Sequence, residues 1–313
     1  MADGLPVLIT AFLRVEKTLS LMERLVAIGV KNIYISIDKG RDERECELQT
    51  LFLIRIKDFA QKYQIDLKIR IQERNQGLAV SIITAVDWLF KSEDFGVILE
   101  DDLDPSHQFL IFCAENIKYL DSSSSCLLIS GNSFYKGGDS LCPSYITYPL
   151  IWGWATTKQK WQIMKDEITT KNEVSWRALL HPSKVGYFLT GLNRARKGLI
   201  DSWAVPLAAR MYFGQYTCLV PPSNLVANSG DDEISTHSNS RDWTLNQPIL
   251  VSNTVVYSAE EARFSSKQNK FVEKLIYGVR WYHVFSPLNS YFFDWHRKTK
   301  RQPSLLDRLR ESN

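Results

Sequence analysis

Three consecutive acids, Glu100, Asp101 and Asp102, follow the apolar residues 97–99. Such an apolar run is typical of a buried parallel strand, and the ligands of open α/β sheets bind beyond the carboxyl ends of the strands. Adjacent carboxylates repel one another and resist burial unless a cation or a ligand neutralises them. Oxygen ligands suit a hard divalent ion, Mn²⁺ or Mg²⁺, which commonly bridges to phosphate. The alternative is a solvated acidic turn after a core strand, and the rest of the chain must decide between the two.

Two further polar residues are expected at the same edge of the sheet. Asp38 follows the predicted strand 32–37, and Arg14 ends the first strand region. A carboxylate there could accept from a nucleobase imide or a ribose hydroxyl, and a guanidinium could pair with phosphate or stack on a base. The alternatives are a turn or a helix cap at Asp38 and an ordinary surface arginine at Arg14.

Polar donors precede the third predicted helix. Arg74 and Gln76 stand just before its start, where the N-terminus of a helix attracts an anion. An ordinary loop with a helix cap explains these residues almost as well. The chain contains no Gly-x-Gly-x-x-Gly and no P-loop sequence. That absence counts against dinucleotide enzymes and against P-loop kinases or ATPases.

Aromatic residues accompany the remaining candidates. Trp152 and Trp154 flank a glycine, which suggests close backbone approach between two aromatic walls, or else a bulge in the core. Asp201 stands beside a predicted helix start with Trp203 close by, so it is a candidate general base or a helix cap. His237 lies in a polar loop from which it could reach a diphosphate or a metal. The alternative is an exposed surface histidine without a ligand, which is the more common case for a single histidine in a loop.

The hydrophobic pattern predicts how these residues are positioned. Strand and helix patterns alternate over the first hundred residues, and this order implies a mostly parallel sheet with helices on both faces. The second half is less regular and shows no convincing linker, so we expect one α/β domain over residues 1–250 and a carboxyl-terminal extension over residues 251–313. The predicted strands are 6–11, 32–37, 66–71, 96–99, 126–131 and 217–220, and the predicted helices are 15–28, 43–63, 77–90, 107–120, 158–165, 176–196 and 203–213.

Charge is distributed unevenly along the 313 residues. Residues 267–313 contain ten Lys or Arg against four Asp or Glu, so this tail is +6 within a chain of net charge +3. A basic tail rich in aromatic residues predicts contact with an anionic surface, a membrane above all, unless it merely covers the domain. The five cysteines show no zinc-site spacing, and neither a signal peptide nor a transmembrane segment is recognisable. We therefore expect a cytoplasmic protein, peripheral at the inner face of the plasma membrane.

Taken in order, these elements resemble nucleotide-sugar glycosyltransferases of the GT-A (Rossmann-like) fold. The closest resemblance is to the N-acetylglucosaminyltransferase I type and its relatives in bacterial polysaccharide biosynthesis. It covers about residues 7–237. Its most specific part is the Glu-Asp-Asp-Leu sequence of residues 100–103, which is that family's form of the Asp-x-Asp metal motif.

The resemblance implies a role for each residue around the donor. Asp102 would coordinate Mn²⁺ or Mg²⁺ through the donor diphosphate, and Glu100 and Asp101 would hold the sugar and the ribose. Arg14 and Asp38 would lie around the uridine. The polar donors Arg74 and Gln76 would complete the donor site.

The resemblance also implies how the acceptor is handled. Asp201 would deprotonate the acceptor hydroxyl, with inversion at the anomeric carbon. Trp154 would wall the donor sugar, and Trp152 and Trp203 the acceptor. His237 would lie in the loop that closes over the diphosphate.

The sequence thus predicts a metal-dependent, inverting hexosyltransferase that uses a UDP-sugar. Its acceptor would be a hydroxyl of a bacterial surface glycan or of a lipid-linked oligosaccharide, and no nucleic acid would be bound. One alternative is a nucleotidyltransferase of similar sheet type, which would be favoured by a glycine-rich, basic loop after the first strand, and residues 10–14 are not such a loop. Another alternative is a non-enzymatic module that binds membrane or nucleic acid, in which Asp102→Asn would leave function intact.

Overall fold

The first hundred residues alternate strand and helix, as the sequence predicts. A computed structural model describes residues 4–135, 142–169, 179–228, 249, 258–286, 303 and 305–312. Within them, apolar runs buried on both faces form the central strands, and amphipathic segments form helices that cover them. The elements are β1 Val7–Ala11, α1 Val15–Ala27, β2 Asn32–Ile37, α2 Glu43–Tyr63, β3 Asp66–Ile71, α3 Leu78–Leu89 and β4 Phe95–Glu100.

The second half contains shorter strands and more helices. It continues with β5 Leu103–Pro105, α4 His107–Ser122, β6 Cys126–Ser130, β7 Ser144–Ile146, β8 Trp154–Thr157, α5 Lys158–Thr169, α6 Pro182–Arg196, α7 Ala204–Gly214, β9 Thr217–Val220, β10 Val226–Asn228, a 3₁₀ helix Ala259–Glu261, β11 Arg263–Phe264, α8 Ser266–Leu275, a 3₁₀ helix Trp281–Phe285 and α9 Leu305–Arg310.

The strands form one large sheet and one two-stranded ribbon. The sheet has the order β11-β7-β9-β6-β8-β4-β1-β2-β3, and the ribbon pairs β10 with β5. β1 pairs in parallel with β2 on one side and with β4 on the other. The chain therefore reverses its direction of travel across the sheet at β1. A crevice at the carboxyl ends of β1 and β4 is the topological switch point, where ligands of such sheets bind.

The fold confirms an α/β class with a large, mostly parallel sheet flanked by helices. The sequence did not predict β8, which runs antiparallel between β4 and β6. Its threonines are buried with hydrogen-bond partners. The Thr156 hydroxyl donates to the Leu127 carbonyl at 2.7 Å, and the Thr157 hydroxyl donates to Asp121 at 2.6 Å. The half of the sheet beyond β4 is therefore mixed rather than parallel.

The carboxyl-terminal elements pack on the core. Val272, Leu305 and Leu309 are buried in the same apolar cluster as α3 and α7. The predicted boundary at residue 250 lies outside the described residues and stays a prediction. No helix in the described part of the chain is long and apolar enough to cross a membrane.

Candidate functional site

A pocket of about 470 Å³ opens at the switch point of the sheet. Its walls are the turn after β1, the end of β2, the first turn of α3, the acids at the end of β4, and Asp201, which stands three residues before α7. The lining residues are Thr10, Ala11, Phe12, Leu13, Arg14, Asp38, Arg41, Asn75, Gly77, Leu78, Ser81, Ile82, Glu100, Asp101 and Asp201. The structure thus brings together five of the predicted site residues, drawn from four separate segments.

Arg14 holds the acidic cluster together. Its Nη1 donates to Asp102 Oδ2 at 2.8 Å and to Asp101 Oδ1 at 3.2 Å. Burial, and then repulsion from the neighbouring carboxylates, raises the pKa of Glu100 to about 8 and that of Asp101 to about 7, and Arg14 offsets only part of this effect. One guanidinium therefore faces three carboxylates. Three carboxyl groups are therefore crowded at the end of β4, and a bound cation would favour their ionised forms.

This cluster fits a divalent cation in kind, because the available donors are carboxyl oxygens. Glu100 and Asp101 line the pocket, whereas Asp102 is not among the lining residues and forms an ion pair with Arg14. Among the described residues, no group of three or more His, Cys, Asp or Glu is arranged to hold a metal ion. A bound Mg²⁺ or Mn²⁺ would therefore need phosphate or water oxygens in addition, as Mg²⁺ bound through one or two carboxylates commonly does.

Asp38 fastens the end of β2 to the turn before α3. Its Oδ1 accepts from the backbone N–H of Lys39 at 3.0 Å and of Gln76 at 2.8 Å, and its Oδ2 accepts from Gly77 at 3.0 Å. Burial raises its pKa to about 6 despite these hydrogen bonds, with a further contribution from Asp201. Asp38 lies at the end of β2 and lines the pocket, and its hydrogen bonds are those of the turn or cap alternative. Its contact with a base or a ribose stays a prediction.

The raised pKa of Asp38 has a measurable consequence for stability. Since the folded-state pKa of about 6 exceeds the ordinary value of 3.8, Asp38 favours folding most below pH 3.8, and this contribution is lost as the pH rises through about 6. We expect the free energy of unfolding of the wild type, relative to Asp38→Asn, to fall by about 3 kcal/mol between pH 3.5 and pH 7. Urea titrations of both proteins across this range measure it. A difference that is constant with pH would contradict it.

Asp201 caps α3 rather than the helix that follows it. Its Oδ2 accepts from Leu78 N at 2.9 Å, and its Oδ1 accepts from Ala79 N at 3.3 Å and from Arg308 Nη2 at 2.7 Å. Gly77 makes this approach possible: it has a φ of +75°, and a Cβ there would lie 2.6 Å from Asp201 Oδ2. The carboxylate therefore lines the pocket while it is held by a helix N-terminus and by a guanidinium. Its role as a general base stays a prediction.

Arg74 and Gln76 turn away from the pocket. Arg74 donates to the carbonyl and the carboxylate of Glu311 at 2.9 and 3.1 Å, and the Gln76 side chain accepts from the Ser312 hydroxyl at 2.8 Å. Neither side chain lines the cavity. The backbone N–H groups at the start of α3, predicted to receive an anion, are taken by Asp38 and Asp201 instead. The donor-binding role of these two residues stays untested, and here they fasten the carboxyl-terminal segment.

The tryptophans expected to wall the site lie in the core. Trp154 and Trp203 are 2% and 3% exposed, and their ring centroids are 5.3 Å apart. Trp161 completes the cluster, and its indole N–H donates to Asp87 at 2.8 Å. Trp152 is half-buried against Phe134, at 5.7 Å between centroids. The Trp154 ring packs in the apolar cluster formed with α5 and α7, and it does not line the pocket. His237 lies outside the described residues.

Truncating Trp154 separates a core role from a ligand-wall role. We expect Trp154→Ala to lower the free energy of unfolding by about 3–5 kcal/mol, because it removes a large ring from a packed cluster. Urea titration measures the loss, and Trp152→Ala is the matched control with a smaller expected effect. Unchanged stability together with a weakened donor affinity would instead identify Trp154 as a ligand wall.

Several residues of the site escaped the sequence-based prediction. Phe12 lines the pocket in the same turn as Arg14, and the Arg41 guanidinium lies 5.4 Å from the centroid of its ring. Arg308 was also missed, whereas Asn75 belongs to the run of polar donors, residues 74–77, that the sequence placed before the third helix. The only signal for Phe12 was an aromatic residue directly after a predicted strand, and Arg308 was hidden in the basic tail.

Solved structures of low sequence identity resemble this chain. No protein-family model matches the chain, and no curated protein sequence matches it. Among solved structures, HddC from Yersinia pseudotuberculosis is 13% identical, covers 51% of this chain and 78% of its own, and has a TM-score of 0.29. A putative glucose-1-phosphate thymidylyltransferase from Bacillus anthracis, in complex with a sucrose, is 9% identical and covers 54% of this chain and 76% of its own, with a TM-score of 0.32.

A third match spans nearly the whole chain. The apo-form glycosyltransferase GlyE of Streptococcus pneumoniae TIGR4 is 12% identical and covers 96% of this chain and 66% of its own, with a TM-score of 0.31. At such low TM-scores these matches carry no argument about this protein. The functional conclusion therefore rests on the geometry of the pocket.

Proposed function

We propose that this protein is a metal-dependent glycosyltransferase that binds a nucleotide-sugar donor in the switch-point pocket. One observation carries the proposal: the pocket joins an acidic strand end, a guanidinium and a second buried carboxylate. A nucleoside diphosphate carries hydrogen-bond donors on its base and ribose, and negative charge on its diphosphate. The pocket presents acceptors and cations in a matching arrangement.

The proposed donor pose follows from the charges on the walls. Asp38 Oδ2 accepts one hydrogen bond from the protein, so a second lone pair remains for a base imide or a ribose hydroxyl. Phe12, with its face beside Arg41, offers a ring on which a base can stack. Arg14 is positioned to exchange a carboxylate partner for a phosphate oxygen. In the proposed pose the uridine would lie toward Asp38 and Phe12, and the diphosphate toward Arg14.

A divalent cation held by Asp102, with Glu100 and Asp101 beside it, would offset the charge that develops on the departing nucleoside diphosphate. The chain's own contribution is to concentrate carboxylates at the end of β4 and to hold them with Arg14 until a ligand arrives. We propose Asp201 as the base for the acceptor hydroxyl, which would give inversion at the anomeric carbon. The proposed acceptor is a hydroxyl of a surface glycan or of a lipid-linked oligosaccharide.

A donor screen tests the proposal. The full chain is incubated with UDP-, GDP-, CMP- and dTDP-sugars, with and without Mn²⁺, and release of nucleotide is followed together with nucleotide binding. We expect metal-dependent release of UDP from at least one UDP-sugar. No turnover of any UDP-sugar, together with no nucleotide binding in the presence of metal, would overturn the proposal.

A second arm of the screen addresses the nucleotidyltransferase alternative. The same preparation is given nucleoside triphosphates and sugar 1-phosphates, and pyrophosphate release is measured. Pyrophosphate release without any transfer from nucleotide sugars would replace the proposed reaction with nucleotidyl transfer in the same pocket.

A further inference from the structure

A buried glutamine joins two of the turns that line the switch-point pocket. Gln49 lies in the second turn of α2, is 3% exposed and does not itself line the pocket. Its Nε2 donates to the Asp38 carbonyl at 2.6 Å and to the Phe12 carbonyl at 3.3 Å, and its Oε1 accepts from the Gly40 N–H at 2.9 Å. One side chain therefore bridges the turn after β1 and the turn after β2.

The three hydrogen bonds require the carboxamide of Gln49. A carboxamide carries two N–H donors and an acceptor on one planar group, and here all three are used. A glutamate of the same shape could not donate to the two carbonyls while it is ionised. An apolar side chain of the same length would leave two carbonyls and one N–H without their partner. Gln49 therefore fixes the distance between the two turns.

These turns carry the groups that the proposed donor pose assigns to the base. Phe12 supplies the ring, and Asp38 supplies the carboxylate. Gly40 precedes Arg41, whose guanidinium lies 5.4 Å from the centroid of the Phe12 ring. Glu45 holds that guanidinium, and it accepts from Nε at 2.9 Å. The ring, the carboxylate and the cation thus belong to backbone segments that Gln49 fastens together.

The acidic side of the pocket is held independently of Gln49. The Phe12 N–H hydrogen-bonds to the Asp101 carboxylate, so the same peptide group is attached on its other side to the end of β4. Arg14 contacts Asp101 as well, at 3.2 Å. Loss of the Gln49 side chain would therefore release the base side of the turn and leave the side proposed to hold the diphosphate attached.

We propose that Gln49 is a positioning residue for nucleobase recognition. It holds the Phe12 ring and the Asp38 carboxylate at the spacing at which one base can stack on the ring and hydrogen-bond to the carboxylate together. A small displacement of either turn loses one of the two contacts. The inference rests on the proposed function, because it needs a nucleotide in the pocket. It adds that affinity for the base depends on a side chain outside the pocket lining.

Calorimetric titration of the full chain with UDP, and separately with pyrophosphate, both with Mn²⁺, tests the proposal. We expect Gln49→Met to lower the affinity for UDP by about tenfold or more and to leave the affinity for pyrophosphate unchanged. Gln49→Glu keeps the shape and the acceptor for Gly40 but cannot donate to the two carbonyls when ionised. We expect it to weaken UDP binding in the same selective way.

A matched control uses another buried glutamine. Gln268 on α8 is 5% exposed, and its Nε2 donates to the Ser133 hydroxyl at 3.1 Å, away from the pocket lining. We expect Gln268→Met to lower the free energy of unfolding and to bind UDP like the wild type. A double-mutant cycle with Phe12→Leu shows whether Gln49 acts through the ring. In that case the double variant loses less UDP affinity than the product of the two single losses.

Three results would overturn this inference while the proposed function stands. The wild type binds UDP and both Gln49 variants bind it equally well, or the variants lose affinity for UDP and for pyrophosphate alike, or the losses in the cycle with Phe12→Leu simply multiply. Absence of nucleotide binding by the wild type would overturn the proposed function and this inference together. The two failures are therefore distinguished by the wild type alone.

Discussion

Asp102→Asn is expected to lower kcat/KM for sugar transfer by about a thousandfold, equivalent to roughly 4 kcal/mol of transition-state stabilisation. The substitution keeps the shape of the side chain and removes the charge that a divalent cation requires. Arg14 retains its second partner, because its Nη1 also donates to Asp101 at 3.2 Å. We therefore expect a large loss of kcat/KM and only a small loss in the free energy of unfolding. Initial rates with saturating Mn²⁺ measure the loss of activity, and urea titration measures the loss of stability. Calorimetric titration of Mn²⁺ in the presence of UDP measures the loss of metal affinity.

Asp104→Asn is the matched control for this substitution. Asp104 lies two residues further along, on β5, and forms an ion pair with Arg24 outside the pocket. Its side chain is 31% exposed, and such surface pairs contribute about 0–1 kcal/mol, so we expect activity within about threefold of the wild type. Full activity of Asp102→Asn would contradict a metal-binding role for Asp102 and would favour a reaction in which Arg14 alone compensates the phosphate charge.

Sequence patterns located the first half of the fold almost to the residue, for a physical reason. Strand and helix periods alternate there without interruption, and β2, β3 and α2 begin and end where the pattern predicts. The carboxyl ends of such parallel strands meet at one edge of the sheet, so the sequence alone predicts that Arg14, Asp38 and Glu100 lie close together. Local periodicity and parallel topology were sufficient for this part.

Long-range contacts were beyond the reach of those patterns. β8 has only four residues, and its place between β4 and β6 depends on pairing rather than on its own pattern. The buried position of Trp154 follows from that pairing. Asp201 caps a helix more than a hundred residues earlier in the chain, and its partner Arg308 lies a further hundred residues on. A local pattern carries no information on such partners, and so Arg308 read only as part of a basic tail.

The contact between Asp201 and Arg308 decides how the proposed base must be tested. Arg308 donates to Asp201 Oδ1 at 2.7 Å and to the Gln76 carbonyl at 3.1 Å, with both charged side chains largely buried. Asp201→Asn would therefore remove a base, an acceptor for the α3 backbone and the partner of a guanidinium at once. A loss of activity alone cannot identify chemistry at this residue.

A double-mutant cycle with Arg308→Gln separates these roles. If Asp201 is the base, we expect Asp201→Asn to lower kcat by about a hundredfold or more at saturating donor, with donor affinity unchanged. Arg308→Gln should then lower the free energy of unfolding by about 1–3 kcal/mol and leave kcat within about tenfold, since the carboxylate remains. If Asp201 only positions α3, both variants should weaken donor binding alike, and the double variant should be no worse than either. Because the two outcomes differ in kcat, in donor affinity and in additivity, the cycle assigns Asp201 either to the reaction or to the architecture of the pocket.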